Sequence, residues 1–381
     1  GVVRCQVRMV DAGCFCCANI GNNRCSAHSV YFFRLSLSMG CAGSKKYSAD
    51  KPAAKSQEPK QYSWDTKEKK DPALFNIEKK TGVSVSRAAN EINGEQVNIA
   101  ECVNCDIFLC DFVGALFVDD CQDCRLFVGP VSSSIFLRNC SKMKVVVACQ
   151  QFRTRDCKDC DFGLFCATEP IIETSVGMRF ACFEFFYFSL KEQFDKAKLS
   201  VWNNLWWQIH DFNKKPGETH WSLLPQADVA KLLDVSKCTA MERNEFQGGR
   251  VVPVTLGSRP RPTATSALVV FLPDGSATRV VESFLEHAAS RKEWALCQTR
   301  TLILNAERCK ALLSPFGDAV VKNAAGKSVS AIEVCGPTIT ADIASLLSDT
   351  SSWPQKVVKL VPEADTAVAV KNFFENWKAE V

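Results

Sequence analysis

Cys102-Val-Asn-Cys105-Asp-Ile-Phe-Leu, Cys121-Gln-Asp-Cys124-Arg-Leu-Phe-Val, Cys140-Ser-Lys-Met143-Lys-Val-Val-Val and Cys157-Lys-Asp-Cys160-Asp-Phe-Gly-Leu follow one another at intervals of 19, 19 and 17 residues. A period near 20 is the signature of a solenoid, in which each repeat is one coil and cannot bury its inner face alone. The apolar runs in each repeat are three to five residues long and rich in β-branched and aromatic side chains. Turn formers such as Asn104, Asp119, Asp120, Gly129, Pro130 and Asn139 separate them. Short strands with tight corners fit this pattern, and helices do not. The expected fold is therefore a β-helix whose equivalent residues stack in a dry core.

The same cysteines admit a second reading. Cys102-x-x-Cys105 and Cys121-x-x-Cys124 have the spacing of a zinc ribbon. Against it, the pair recurs twice more in register, once with Met143 in place of the second thiol. Small, polarizable thiols stacked in a core account for all four repeats with one cause. The chain holds 21 Cys, eleven of them between Cys102 and Cys182, and only four His, so few ligands exist for a mixed site. An odd thiol count without a clear signal peptide points to reduced cysteines.

One repeat breaks the apolar rule. Four residues before the Cys that opens the next coil stand Phe117, Phe136 and then Arg153. If Phe152 and Thr154 face inward by strand alternation, Arg153 faces out on a column otherwise filled by Phe. An exposed Arg beside aromatic rings suits a partner platform, and a merely solvated Arg is the plainer alternative. Glu173, in the following coil, is a carboxylate that could orient the guanidinium.

Upstream, Met39-Gly40-Cys41-Ala42-Gly43-Ser44-Lys45-Lys46 carries an N-myristoylation pattern on Gly40, a palmitoylation candidate at Cys41 and a basic run. Gly40 is available only if translation starts at Met39, so residues 1–38 are expected to be an upstream, non-native segment. Two acyl chains, or one with basic residues, hold a protein stably on membrane. Residues 39–60 then form a lipidated basic tether, continuing in polar sequence to Asp71, with Tyr62 and Trp64 expected to dock on the next domain. No run of eighteen apolar residues occurs, so any membrane attachment is from outside. The net charge of +4 gives no argument for nucleic-acid binding.

The run Cys149-Gln150-Gln151-Phe152-Arg153-Thr154-Arg155-Asp156-Cys157, its flanking coils, Lys60-Gln-Tyr62-Ser-Trp64-Asp65, Ile209-His210-Asp211-Phe212 and Trp221-Ser-Leu-Leu-Pro225 resemble the tubulin-folding cofactor C (TBCC) family over roughly residues 39–381. The resemblance implies a right-handed β-solenoid domain at residues 61–216. It also implies an α/β, ferredoxin-like domain similar to nucleoside diphosphate kinase at residues 267–381, after a connecting segment at 217–266. It further implies a GTPase-activating protein for a GTP-bound Arf-like small GTPase, acting in trans without an active site or cofactor of its own. A cytoplasmic plasma-membrane and ciliary or basal-body address, with lipidated or tubulin-related cargo, belongs to the same implication.

In the resembling motif Gln151-Phe152-Arg153, Arg153 is the expected arginine finger, Gln151 its neighbour at the switch region, and Glu173 the group fixing its rotamer. Gln150, Phe152, Phe136, Asp211 and Phe212 are the expected partner contacts. The alternative is a non-catalytic scaffold binding a GTPase or tubulin-related cargo through the same face. No metal site is expected.

The last third reads independently as alternating elements: a strand at Ala267–Leu272, an amphipathic helix at Thr278–Arg291, a strand at Thr299–Leu304, a helix at Glu307–Leu313 and a strand at Ser330–Cys335. Gln247 to Ser266, rich in Pro, Gly and Arg, reads as a linker. A nucleoside diphosphate kinase needs a phosphoryl-accepting His in a late loop. The sole His of this domain, His287, falls in the early helical pattern. Docking or regulation is the expected role.

Overall fold

The computed structural model describes residues 71–241, 246 and 249–375 of the 381. Gly40, Cys41, Tyr62, Trp64 and the segment 1–38 lie outside the described residues.

From Asn76 the chain winds in parallel coils. The strands in order are β1 (Asn76–Glu78), β2 (Ser84–Arg87), β3 (Val97–Ala100), β4 (Asp106–Leu109), β5 (Leu116–Asp119), β6 (Arg125–Arg138), β7 (Lys144–Arg155), β8 (Asp161–Cys166), β9 (Ile171–Glu173) and β10 (Met178–Cys182). Helix α1 (Leu190–Lys196) follows, then β11 (His210–Asp211) and β12 (Trp221–Leu223). Two parallel ladders result. The first joins β1, β3, β5, the end of β6, the end of β7, β9 and β11. The second joins β2, β4, the start of β6, the start of β7, β8, β10 and β12.

The cysteine repeat is the corner between the ladders. Each corner holds two left-handed residues three apart: Glu101 and Asn104, Asp120 and Asp123, Asn139 and Lys142, Asp156 and Asp159. Asn and Asp tolerate this conformation best among non-Gly residues, which explains their place before the thiols. The first thiol of each pair donates to the carbonyl two residues back: Cys102 to Ala100 (3.4 Å), Cys121 to Asp119 (3.2 Å), Cys140 to Arg138 (3.3 Å) and Cys157 to Arg155 (3.4 Å). A fifth corner, absent from the cysteine pattern, repeats the arrangement with Thr174 and Gly177 left-handed. There the Ser175 hydroxyl donates to Glu173 O (2.9 Å).

All these thiols are buried and free. Burial pushes Cys102 up to about 11 and Cys124 and Cys160 up to about 12, keeping them protonated. No group of three His, Cys, Asp or Glu among the described residues is arranged to hold a metal ion. The zinc-like spacing is the length of a rung.

Inside the coils, Val97, Leu116, Ile135 and Phe152 stack in one column and Ile107, Leu126, Val145, Phe162 and Phe180 in another. Each such side chain stabilises the fold by about 1.5–3 kcal/mol. The outer face of the second ladder is also covered. Phe108, Phe127, Val146 and Phe165 are packed under Phe183, Tyr187 and the α1 residues Leu190 and Phe194. Among the described residues, the outer face of the first ladder has no such cover from β5 to β11, where Phe117, Phe136, Arg153, Ile171 and His210 are part-exposed or exposed.

The second domain contains β13 (Ser266–Phe271), α2 (Ala277–Ser290), β14 (Ala295–Ile303), α3 (Ala306–Leu313), α4 (Asp318–Ala324), β15 (Ser328–Cys335), α5 (Ile339–Leu347), β16 (Val358–Leu360) and α6 (Glu363–Val370). The antiparallel order β14-β15-β13-β16 is two interleaved split βαβ units, the ferredoxin-like arrangement. Helices α2 and α5 cover one face, and α3, α4 and α6 the other. The ring of His287 on α2 packs at the edge of Trp294 (5.6 Å) and near Trp353 (6.4 Å).

The connecting segment differs from expectation in two ways. Residues 221–223 are still a solenoid strand, so the coils run past residue 216. The Pro- and Gly-rich stretch is a strap and not a free linker. Thr255 accepts from Trp206 Nε1 (3.1 Å), and the Arg259 guanidinium lies 4.8 Å over the Trp206 ring while donating to Leu224 O (2.6 Å). Leu256 N and Gly257 N donate to Leu296 O (2.8 Å) and Cys297 O (3.1 Å) on β14. Arg261 pairs with buried Glu333 through both carboxylate oxygens (2.5 and 3.1 Å). Proline here fixes a path that hydrogen bonds then hold.

Candidate functional site

The open face of the first ladder is built by alternation. On β7, Phe152 and Thr154 point into the core and Gln151, Arg153 and Arg155 point out. Parallel register stacks Phe117, Phe136, Arg153, Ile171 and His210 into one outward column. Phe117 and Phe136 stack face to face at 5.5 Å, and the Arg153 guanidinium lies 5.7 Å from the Phe136 ring centre. This cation–π contact orients the side chain.

What distinguishes Arg153 is the state of its donors. Arg138 is bidentate to Asp119 (2.6 and 2.7 Å), Arg179 is bidentate to Asp161 (2.6 and 2.7 Å), and Arg125 pairs with Asp106. Arg87 donates to three backbone carbonyls. Burial works to raise Asp106, yet the hydrogen bonds from Arg125 and Lys237 outweigh it and hold the carboxyl below its ordinary value. Arg153 has no carboxylate partner among the described residues and keeps its hydrogen-bonding edge toward solvent. Gln151, half-buried on the same face, is fixed by the Ser134 hydroxyl donating to its Oε1 (3.0 Å), which leaves its NH₂ free to donate.

The other expected residues divide. Phe136 is the platform beneath Arg153. Phe152 is fully buried against Phe162 and Phe180 (ring centres 5.0 and 6.0 Å), so it supports the rung and is not a partner contact. Glu173 stands opposite Arg155, whereas Ile171 is the β9 residue facing Arg153. In this structure the Phe136 ring, not Glu173, holds Arg153. Gln150 lies where β7 turns the corner, and its carbonyl accepts from Thr168 N (3.1 Å) and Oγ1 (3.0 Å).

Phe212 is 67% exposed, with its ring at the edge of His210 (5.7 Å), and lies just past β11. Asp211 is not a free contact. Its carboxylate is almost wholly buried, 2.8 Å from His220 Nδ1, and it accepts from Asn213 N (3.1 Å). His210, Ile171 and His220 were missed by sequence reasoning. The first two follow from extending the Arg153 column by one and two rungs.

No helix among the described residues is long and apolar enough to cross a membrane. Residues 94–212, the stretch that carries this face, match the family model "Tubulin binding cofactor C". The solved structure "Tubulin Binding Cofactor C from Leishmania major" matches at 26% identity, covering 33% of this chain and 87% of that one, with a TM-score of 0.29. Protein XRP2 of Danio rerio is 40% identical over 321 residues, spanning 83% of this chain and 85% of its own length. Protein XRP2 of Xenopus laevis is 42% identical over 284 residues, 71% of this chain and 80% of its own. The chain belongs to the XRP2 type of the tubulin binding cofactor C family.

Proposed function

We propose that this protein activates GTP hydrolysis by a GTP-bound Arf-like small GTPase, inserting Arg153 in trans as an arginine finger. The observation that carries this reading is the guanidinium of Arg153, without a carboxylate partner among the described residues, on the ladder face that those residues leave open, beside Gln151 and Phe136. Hydrolysis spreads negative charge over the transferred phosphoryl oxygens, and an oriented Arg stabilises that charge by on the order of 10³–10⁵ in rate. Gln151, pre-set by Ser134, donates to the switch region near the attacking water. Phe212 extends the contact along the face.

On this reading Gly40 and Cys41 carry the acyl chains that hold the protein on the cytoplasmic face of the plasma membrane, and lipidated cargo is what the GTPase cycle releases there, at the cilium. The C-terminal domain, similar to nucleoside diphosphate kinase, serves docking or regulation. Single-turnover hydrolysis by a GTP-loaded Arf-like GTPase tests the reading. The protein is expected to accelerate it, and Arg153→Ala to lose about 10³-fold of the acceleration while still binding. Arg153→Lys keeps the charge without the planar fork and recovers little. Binding without acceleration by the unaltered protein would leave a scaffold.

A further inference from the structure

The corners of the solenoid are short, but the last one is not. Between β9 and β10 the chain turns in four residues, 174–177; between β11 and β12 it takes nine, 212–220. Register shows what replaced the tight turn. Met178 pairs with Trp221, so His220 occupies the column of Asn104, Asp123, Lys142, Asp159 and Gly177, each a left-handed corner residue. His220 is not left-handed. Its ring bridges the enlarged corner instead, with Nδ1 2.8 Å from Asp211 Oδ2 and Nε2 3.3 Å from Glu218 Oε2. Its carbonyl accepts from Met178 N (3.1 Å), anchoring it to the rung beneath.

The other end of the corner is the strand end that displays Phe212. Phe212 N donates to Ile172 O (2.9 Å), and Asn213 Oδ1 accepts from Thr174 N (2.7 Å). Asp211 joins the two ends, since its carboxylate receives both His220 and Asn213 N. Without the imidazole the nearly buried carboxylate has lost its side-chain partner and the corner has no clasp across it.

We infer that His220 is a positioning residue that clasps the 211–220 corner through Asp211 and so fixes Phe212 for contact with the GTPase. This rests on the GTPase-activating reading above. It predicts an effect on engagement and not on the chemical step, because Arg153 is two rungs away, roughly 10 Å at one strand spacing per rung.

The test uses the full chain and a GTP-loaded Arf-like GTPase, measuring single-turnover rate against activator concentration. His220→Ala is expected to raise the half-saturating concentration about tenfold and leave the saturating rate within about twofold. His220→Asn, whose amide nitrogen reaches the Nδ1 position, is expected to restore half-saturation. Phe212→Ala should match His220→Ala, and the double variant should be no worse than either alone. An unchanged half-saturation in His220→Ala, a fall in saturating rate like that of Arg153→Ala, no rescue by Asn, or full additivity with Phe212→Ala would each overturn the clasp. If the unaltered protein gives no acceleration, the activator reading fails. The clasp is then judged by the same variants in direct titration of GTPase binding.

Discussion

At the scale of single residues, the environment decides which groups are reactive, and two thiols show the contrast. Burial raises Cys102, Cys124 and Cys160 in the ladder, whereas Cys238 is lowered to about 6, chiefly by the hydrogen bond from the Cys110 thiol 3.9 Å away, against the opposing effect of burial. A thiol near 9 in the unfolded chain and near 6 when folded adds stability that is complete above about pH 9 and lost as pH falls to 6. The unfolding free energy from urea titration should therefore rise between pH 6 and 8 by about 1 kcal/mol, discounted for solvent screening. In Cys238→Ser that slope should vanish. Arg153 was legible in the sequence because a cation interrupts a Phe column, whereas alternation turned Phe152 inward, which is at odds with its expected place among the partner contacts. Glu173 stands two residues beyond Ile171, the residue that register sets opposite Arg153, and so falls in the Arg155 column, which proximity in sequence to the motif does not reveal. The Asp211–His220 pair was invisible, since nothing in nine loop residues states how the loop folds back.

At the scale of elements, the corner is the unit that makes the solenoid. Its demand is backbone conformation first and thiol second, which is why Ser175 and Met178 can fill the fifth corner while the cysteine pattern stops at the fourth. Lys142, at φ 53°, is a poor residue for a left-handed position that Asn fills elsewhere. Lys142→Asn should stabilise by about 0.5 kcal/mol. Asn139, at φ 54° and donating to Asp120 Oδ1 (3.1 Å), is the reverse case. Asn139→Val should cost about 1–2 kcal/mol by chemical denaturation, because a β-branched residue is strained there. Strands β13, β14 and β15 and helices α2 and α3 of the second domain were legible from period. Elements α4, α5, β16 and α6 were not, being short elements whose burial is set by neighbours.

At the scale of the whole molecule, the coils and the second domain are joined by more than the strap. Asn203 exchanges two hydrogen bonds with Thr301 of β14 (2.7 and 3.0 Å), and Thr299 Oγ1 donates to Trp202 O (2.9 Å). Lys191 of α1 pairs with Glu282 of α2 (2.5 Å). The edge of β14 is thus capped by solenoid residues and by 256–257. Asn203→Ala combined with Thr299→Val removes three of these bonds, about 1 kcal/mol each. Calorimetry should then resolve two transitions where the unaltered protein shows one. The Pro- and Gly-rich composition of the strap predicts the absence of a regular element, and says nothing of the partners that hold it.

The parallel stacking of the coils has a consequence for how such a surface changes over evolutionary time. Rungs are repeated at a fixed pitch of about 4.8 Å, so the outward columns work like the graduations of a ruler. Duplicating or deleting one whole rung would slide the Phe212 corner along the axis relative to Arg153 by one graduation, leaving both local structures intact. A lineage could retune the spacing between its finger and its distal contact in discrete steps, matched to the dimensions of a different GTPase, without redesigning either end.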